Sequence, residues 1–187
     1  MLHTRVASRY AKSLLNLATE QGKLEQVYND MLYLQQLTKS SRDFLNLLRS
    51  PVIKGDRKIK IVETITAGNI NDLTAAFNRL LISKGREDVL PEIITSFIKQ
   101  YKEQKGIHVV KLTTAVPASE NVKNAIVNQI RKTSDMQKIE LETIVDPKVI
   151  GGFVLETGDK LVDASIAYDL KEIARQFENN DFIYRLR

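Results

Sequence analysis

The residues that could support chemistry in this chain are few and far apart. Only two histidines occur, His3 and His108, and there is no cysteine. The lack of cysteine excludes thiolate metal sites, thiol nucleophiles and disulfides. A two-histidine metal site would need both residues brought together from separate predicted domains and supplemented by carboxylates. We therefore expect neither a metal nor another cofactor.

Aspartate and serine side chains cluster towards the C-terminal end of the chain. Ser165 follows a strand-like run and precedes a helix-like one without a G-x-S-x-G motif, so its expected role is to cap the helix N-terminus. Asp146, Asp159 and Asp163 flank turns, where an Asx hydrogen bond accounts for each of them. A hydrolase with a paired-carboxylate site stays open as one alternative.

Two glycine-containing stretches resemble phosphate-binding loops only in part. The pair Gly151–Gly152 is followed by a strand-like run, whereas a phosphate loop leads into a helix N-terminus. The stretch 54–58, KGDRK, lacks a second glycine and a preceding strand. Neither stretch predicts a nucleotide site.

The net charge of +5 is distributed unevenly. Residues 1–105 carry 17 basic and 11 acidic side chains, and residues 106–187 carry 11 and 12. A basic surface can attract nucleic acid or an acidic protein, although a solvated helical surface explains the same excess. The second alternative is thus a basic RNA-binding adaptor, whose candidate cations are Lys54, Arg57, Lys58 and Lys60.

The first part of the chain has helical periodicity and the second part does not. Apolar residues recur at three and four up to about Lys105, in six segments separated by Gly, Ser and Pro. Short loops between six helices predict an antiparallel bundle over residues 1–105. The predicted segments are 4–21, 23–39, 44–48, 56–66, 73–81 and 90–101.

Residues 106–187 predict a small α/β domain with a short sheet and two helices, which makes the whole chain α+β. Ile107–Val116 is rich in β-branched residues, and residues 139–145 largely alternate. A hairpin follows over residues 152–163. The final helix is predicted to bury one face, formed by Ile166, Leu170, Ile173, Ala174 and Phe177.

Four short motifs, in order, resemble the delta subunit family of F-type ATP synthases, to which the mitochondrial oligomycin-sensitivity-conferring protein belongs. No single motif is specific, but together they cover almost the whole chain. They are RYAKSL at 9–14; Pro51, Ile53 and Lys58; LLISKGR at 80–86; and Asp146, Gly151-Gly152-Phe153, Asp159 and Asp163-Ala164-Ser165.

The resemblance implies a non-catalytic peripheral-stalk subunit that couples rotation to ATP synthesis. Its N-terminal domain would bind N-terminal helices of alpha subunits, and its C-terminal domain the b subunits. The complex would lie on the cytoplasmic face of a bacterial inner membrane. This subunit would reach the membrane only through its partners, and it would bind no nucleic acid.

The resemblance places the alpha-binding groove between the first and fifth helices. A single apolar stripe fits a groove and a core equally well, so both interpretations stay open for these residues. The candidates are Ala7, Tyr10, Ala11, Leu14, Phe77, Asn78 and Leu81. The structural signature of the C-terminal domain is Asp146, Gly151, Gly152, Asp163 and Ser165.

Overall fold

The computed structural model describes residues 2–133, 136, 138–158 and 160–178, apart from the side chains of residues 2 and 3. The chain has an α+β fold, as the sequence predicts, and divides into two compact units, Met1–Lys105 and Gly106–Arg187. Among the described residues, no helix has the length and hydropathy that crossing a bilayer requires.

Unit 1, Met1–Lys105, contains six α-helices and one short 3-10 helix, Glu87–Val89. The helices are α1 (Leu2–Glu20), α2 (Leu24–Ser40), α3 (Arg42–Arg49), α4 (Gly55–Thr66), α5 (Asp72–Ser83) and α6 (Leu90–Gln104). Helix α6 packs against both α1 and α2, and α4 packs against α5. Small residues on α1, including Ala11 and Ala18, are fully buried, which allows neighbouring helices to approach closely.

The N-terminus of α5 is capped by a residue far away in the sequence. Asp30 of α2 is buried, and its Oδ2 accepts hydrogen bonds from Asn71 N at 2.8 Å and Thr74 Oγ1 at 2.6 Å. The Asn71 side chain adds a local cap by accepting from Leu73 N at 3.1 Å. A carboxylate also interacts favourably with the positive end of a helix dipole. These contacts fix α5 relative to α2.

A second polar contact holds α2 against α6. The rings of Tyr28 and Tyr101 stack with centroids 3.8 Å apart, and Tyr101 Oη donates to Glu25 Oε2 at 2.6 Å. Burial, together with the neighbouring Glu25 carboxylate, raises the pKa of Tyr101 to about 12. The hydrogen bonds that Glu25 accepts from Lys105 and Tyr101 lower the pKa of its own carboxyl.

Unit 2, Gly106–Arg187, is built on a four-stranded sheet and two helices. The elements are β1 (Ile107–Thr114), α7 (Glu120–Thr133), β2 (Lys138–Val145), β3 (Gly152–Thr157), β4 (Lys160–Ser165) and α8 (Ile166–Glu178). The strand order is β2-β1-β3-β4. Strands β1 and β2 are parallel and are joined through α7, whereas β1–β3 and β3–β4 are antiparallel. Val110 and Leu112 on β1 are fully buried and form the centre of this small core.

The prediction of a buried face on the final helix is wrong. Ala174 is exposed, as are the four large apolar residues of this face, whose exposed fractions are 47% for Ile166, 52% for Leu170, 49% for Ile173 and 72% for Phe177. Helix α8 contacts β4 and a 3-10 turn, Pro147–Val149, and these contacts leave its apolar stripe largely uncovered. The stripe has the predicted helical period, but it does not face the core of unit 2.

Candidate partner-binding surfaces

Helices α1 and α5 are linked by an aromatic contact. The rings of Tyr10 and Phe77 meet edge to face with centroids 6.4 Å apart, a geometry that aromatic pairs favour. Tyr10 is half-buried and Phe77 is buried. The structure therefore brings together one candidate groove residue from α1 and one from α5.

Most of the candidate groove residues lie inside unit 1. Tyr10 is the one partly exposed member of the set. The other six are buried, so their side chains already pack against the rest of the unit. The buried candidates are Ala7, Ala11, Leu14, Phe77, Asn78 and Leu81.

Two leucines that were absent from the candidate set are exposed on the same helices. Leu17 lies two helical turns from Tyr10 on the same face of α1 and is 41% exposed. Leu80 lies one turn from Phe77 on α5 and is 48% exposed. Both lie at the edge of an apolar stripe, a position that could have identified them. We refer to Tyr10, Leu17 and Leu80 together as the α1–α5 surface.

Asn78 is placed differently from the other candidates. Its side chain lines a small cavity with Val62 and Thr66 of α4. Both polar atoms of its amide are buried without a hydrogen-bond partner in the described structure. A buried, unsatisfied amide of this kind costs about 1–3 kcal/mol. Asn78 thus belongs to the α4–α5 contact.

A wide cleft lies on another side of α1, against α6. Its volume is about 970 Å³, and its lining includes Ser8, Lys12, Thr95 and Gln100. Gln100 Nε2 donates to the carbonyl oxygen of Ser8 at 3.1 Å and so joins the two helices across the cleft. The exposed leucines of the α1–α5 surface are not part of its lining.

The cationic set considered for RNA binding is not a continuous exposed surface. Lys54, Arg57 and Lys60 are exposed, but Lys58 is only 3% exposed. Lys58 Nζ donates to Leu48 O at 3.0 Å and forms an ion pair with Glu87 Oε1 at 2.6 Å. The inclusion of Lys58 among RNA-contacting residues is therefore wrong.

The signature residues of unit 2 form turns and a helix cap. Asp146 Oδ1 accepts from Lys148 N, and Asp163 Oδ1 accepts from Ser165 N, each at 3.0 Å, as in Asx turns. Ser165 Oγ accepts from Tyr168 N at 3.1 Å, which is the N-cap interaction expected for it. Asp159 and the His3 side chain lie outside the described residues. Within the described ranges, no group of His, Asp and Glu side chains is arranged to hold a metal ion.

Gly151 and Gly152 are each required for a different structural reason. Gly152 has φ +72°, and a Cβ atom added there would lie 2.1 Å from Ala164 O. At Gly151 a Cβ would instead lie 2.7 Å from Cδ1 of Ile166, the first residue of α8. Gly152 therefore allows the close pairing of β3 with β4, and Gly151 allows the chain to pass close to α8.

The apolar stripe of α8 is a second exposed surface. Its residues Ile166, Leu170, Ile173 and Phe177 are spaced four, three and four apart, the spacing of a coiled-coil seam. We call these four residues the α8 seam. Exposed apolar surface on both units is a feature of subunits that bind other chains.

Comparisons with known proteins identify the family. A family model described as ATP synthase delta (OSCP) subunit matches residues 6–177. ATP synthase subunit delta from Cytophaga hutchinsonii is 37% identical over 177 residues, which cover 95% of this chain and 96% of that protein. The same subunit from Amoebophilus asiaticus is 35% identical over 173 residues, covering 92% and 94% of the two chains. The chain therefore belongs to the ATP synthase delta (OSCP) subunit family.

A solved structure supports the fold independently. A chain in the cryo-EM structure of the Toxoplasma gondii mitochondrial ATP synthase hexamer matches with a TM-score of 0.73. The match covers 91% of this chain and 96% of that chain at 22% sequence identity. At this level of identity the likeness concerns the arrangement of helices and strands.

Proposed function

We propose that this protein is a non-catalytic peripheral-stalk subunit that ties the catalytic head of a bacterial ATP synthase to its b-subunit stalk. The observation that carries the proposal is the presence of exposed apolar surface on both units, the α1–α5 surface on one and the α8 seam on the other. A tether needs two binding surfaces. Family membership identifies the complex in which both surfaces would be used.

The mechanism is mechanical. Rotor torque acts on the catalytic head, which would turn with the rotor unless it were held to the membrane sector. A subunit bound to the head at one end and to the stalk at the other prevents this rotation, and ion flow is then coupled to ATP synthesis. The complex would lie at the cytoplasmic face of the bacterial inner membrane, and this chain would reach the membrane through its partners.

Unit 1 is proposed to bind the N-terminal helix of an alpha subunit. Its six helices would act as one antiparallel bundle, with α1 and α5 as the two walls of a groove. Tyr10, Leu17 and Leu80 would contact the apolar face of the incoming helix, because an amphipathic helix presents residues spaced three and four apart to a groove. The buried candidates, including Ala11 and Leu14, would support that surface from below.

The first prediction concerns this α1–α5 surface. Leu80→Glu is expected to weaken binding of an alpha-subunit N-terminal peptide at least about tenfold, because a charge would replace a desolvated leucine. Isothermal titration of the full chain with the peptide from the same organism measures the Kd. Leu32 on α2 has similar exposure, at 38%, and Leu32→Glu serves as the matched control. Equal weakening by both variants, or no saturable binding to the wild type, would refute the assignment.

Unit 2 is proposed to bind the b subunits through the α8 seam. The seam has the spacing with which one helix packs against another, and it is exposed along its described length. Two other positions next to it, Ala167 and Ala174, are small and allow a partner helix to approach closely. The elongated stalk would then be held by helix pairing.

The second prediction concerns the α8 seam. Leu170→Asp is expected to reduce affinity for the soluble region of the b subunit by about thirtyfold, as for the loss of an interface hot spot. Leu170 is half-exposed in the free chain, so the substitution should leave the folding of unit 2 nearly unchanged. The control is Val116→Asp, at an apolar position on the loop after β1 that is 69% exposed. If Leu170→Asp and the wild type bind with the same Kd, the seam is not the stalk site.

A further inference from the structure

Ile150 has a backbone conformation that a β-branched residue rarely adopts. Its φ is +64° and its ψ is −46°, and Gly151 N donates to Val149 O at 2.7 Å across it. These values define a classic γ-turn, which is rare and strained. Among the described residues, Ile150 is the single non-glycine position with positive φ.

The conformation is imposed by the chain on both sides of Ile150. Before it, Asp146 N donates to Thr114 O at 2.9 Å, and Val149 is buried. After it, Ile166 N donates to Gly151 O at 3.0 Å, which ties the turn to the start of α8. Strain of this kind persists where the surrounding structure determines the backbone.

The Ile150 side chain gains little from this arrangement within its own unit. It is 60% exposed, so it adds little to the core of unit 2. Glycine would adopt the same backbone with less strain, because it has no Cβ atom. An apolar, β-branched residue at such a position is best explained by a contact that the free chain does not make.

The position of Ile150 indicates what would cover it. The next residue, Gly151, lies against Ile166, the first residue of the α8 seam. We propose that Ile150 is an anchor residue that extends the α8 seam and is buried by a partner helix of the b-subunit stalk. This inference rests on the stalk-binding role proposed for unit 2.

A charged residue beside the α8 seam indicates which side chains the partner helix would carry. Asp169 is exposed and occupies the position flanking the seam next to Leu170. An ion pair within α8 joins Glu172 to Arg175, and Asp169 is not part of it. The seam thus fits an amphipathic helix with apolar residues spaced three and four apart and a basic side chain facing Asp169.

Two substitutions at Ile150 test the anchor role. In the full chain, Ile150→Gly is expected to raise the unfolding temperature, because it relieves the γ-turn. It is also expected to weaken binding to the soluble region of the b subunit about tenfold, because the anchor side chain is lost. A structural role alone cannot move these two measurements in opposite directions. Ile150→Asn should weaken binding likewise.

The controls separate the anchor from the rest of the surface. Ile144 on β2 is 47% exposed and has an ordinary strand conformation, and Ile144→Ala should leave the Kd unchanged. Asp169→Lys should weaken binding more at low than at high salt.

Wild-type affinity in Ile150→Gly would overturn the anchor role while leaving the stalk-binding role intact. Absence of binding by the wild type would overturn both. Sedimentation showing a homodimer that Ile150→Gly dissociates, with stalk binding unchanged, would identify a second copy as the occupant and also overturn the proposal.

Discussion

Gly152→Ala is expected to destabilise unit 2 by about 4 kcal/mol or more, an effect that few single substitutions reach. The left-handed backbone at φ +72° accounts for about 1–2 kcal/mol of this for a residue with a side chain. The rest comes from the contact of the new Cβ with Ala164 O, at 2.1 Å in the present geometry. That oxygen belongs to the backbone of β4, so relief requires β3 and β4 to separate. Valine at this position should be worse still.

Gly151→Ala is the matched control for this substitution. The atom nearest its new Cβ is Cδ1 of Ile166, the end of a flexible, half-exposed side chain that can rotate away. A cost of about 1 kcal/mol is expected, at the lower end of overpacking effects. Amide hydrogen exchange in β3 and β4 measures both variants. Equal protection in Gly152→Ala and the wild type would show that the close pairing does not require glycine.

Lys58→Met is expected to destabilise unit 1 by about 3–5 kcal/mol, because it leaves the largely buried carboxylate of Glu87 without its cation. Lys58 joins Leu48 O near the end of α3 to Glu87 in the 3-10 helix, and the second oxygen of Glu87 is already buried without a partner. Chemical denaturation followed by circular dichroism measures the loss. The signal should arise from unit 1, because all three groups lie there.

A double substitution tests whether the loss of stability in Lys58→Met comes from the unpaired charge on Glu87. Replacing Lys58 and Glu87 together by Met and Leu removes both charges, and such replacements are often neutral. The double variant is expected to recover stability to within about 1 kcal/mol of the wild type. If it is as unstable as Lys58→Met, the loss comes from packing around the lysine stem. A fully stable Lys58→Met would contradict the importance of the pair altogether.

The sequence was sufficient for the features that depend on local pattern. The apolar period before Lys105 and the β-branched run from Ile107 correctly predicted the α+β class, and four ordered motifs correctly predicted the family. Turn chemistry was also readable, because Asp146 and Ser165 act on backbone groups two or three residues away.

Features that depend on distant neighbours could not be predicted in this way. The stripe on α8 shows that one face is apolar, but its periodicity does not reveal whether the same chain or a partner covers that face. The sequence does not distinguish Lys58 from its exposed cationic neighbours, because its partner, Glu87, is 29 residues away. Asp30 caps a helix 41 residues further along the chain, and no local pattern marks it.

The position of β1 has a consequence for how unit 2 would carry load. The strand starts at Ile107, immediately after the boundary between the two units, and it lies in the interior of the sheet. A pull on Gly106 along the axis of β1 would also act along the axes of its two neighbouring strands, β2 and β3. Its pairing with β2 over residues 107–114 and with β3 over residues 111–114 would then be loaded in shear, so many hydrogen bonds would share the force. If the chain instead entered through an edge strand and were pulled perpendicular to that strand, the hydrogen bonds of the edge strand would break one at a time.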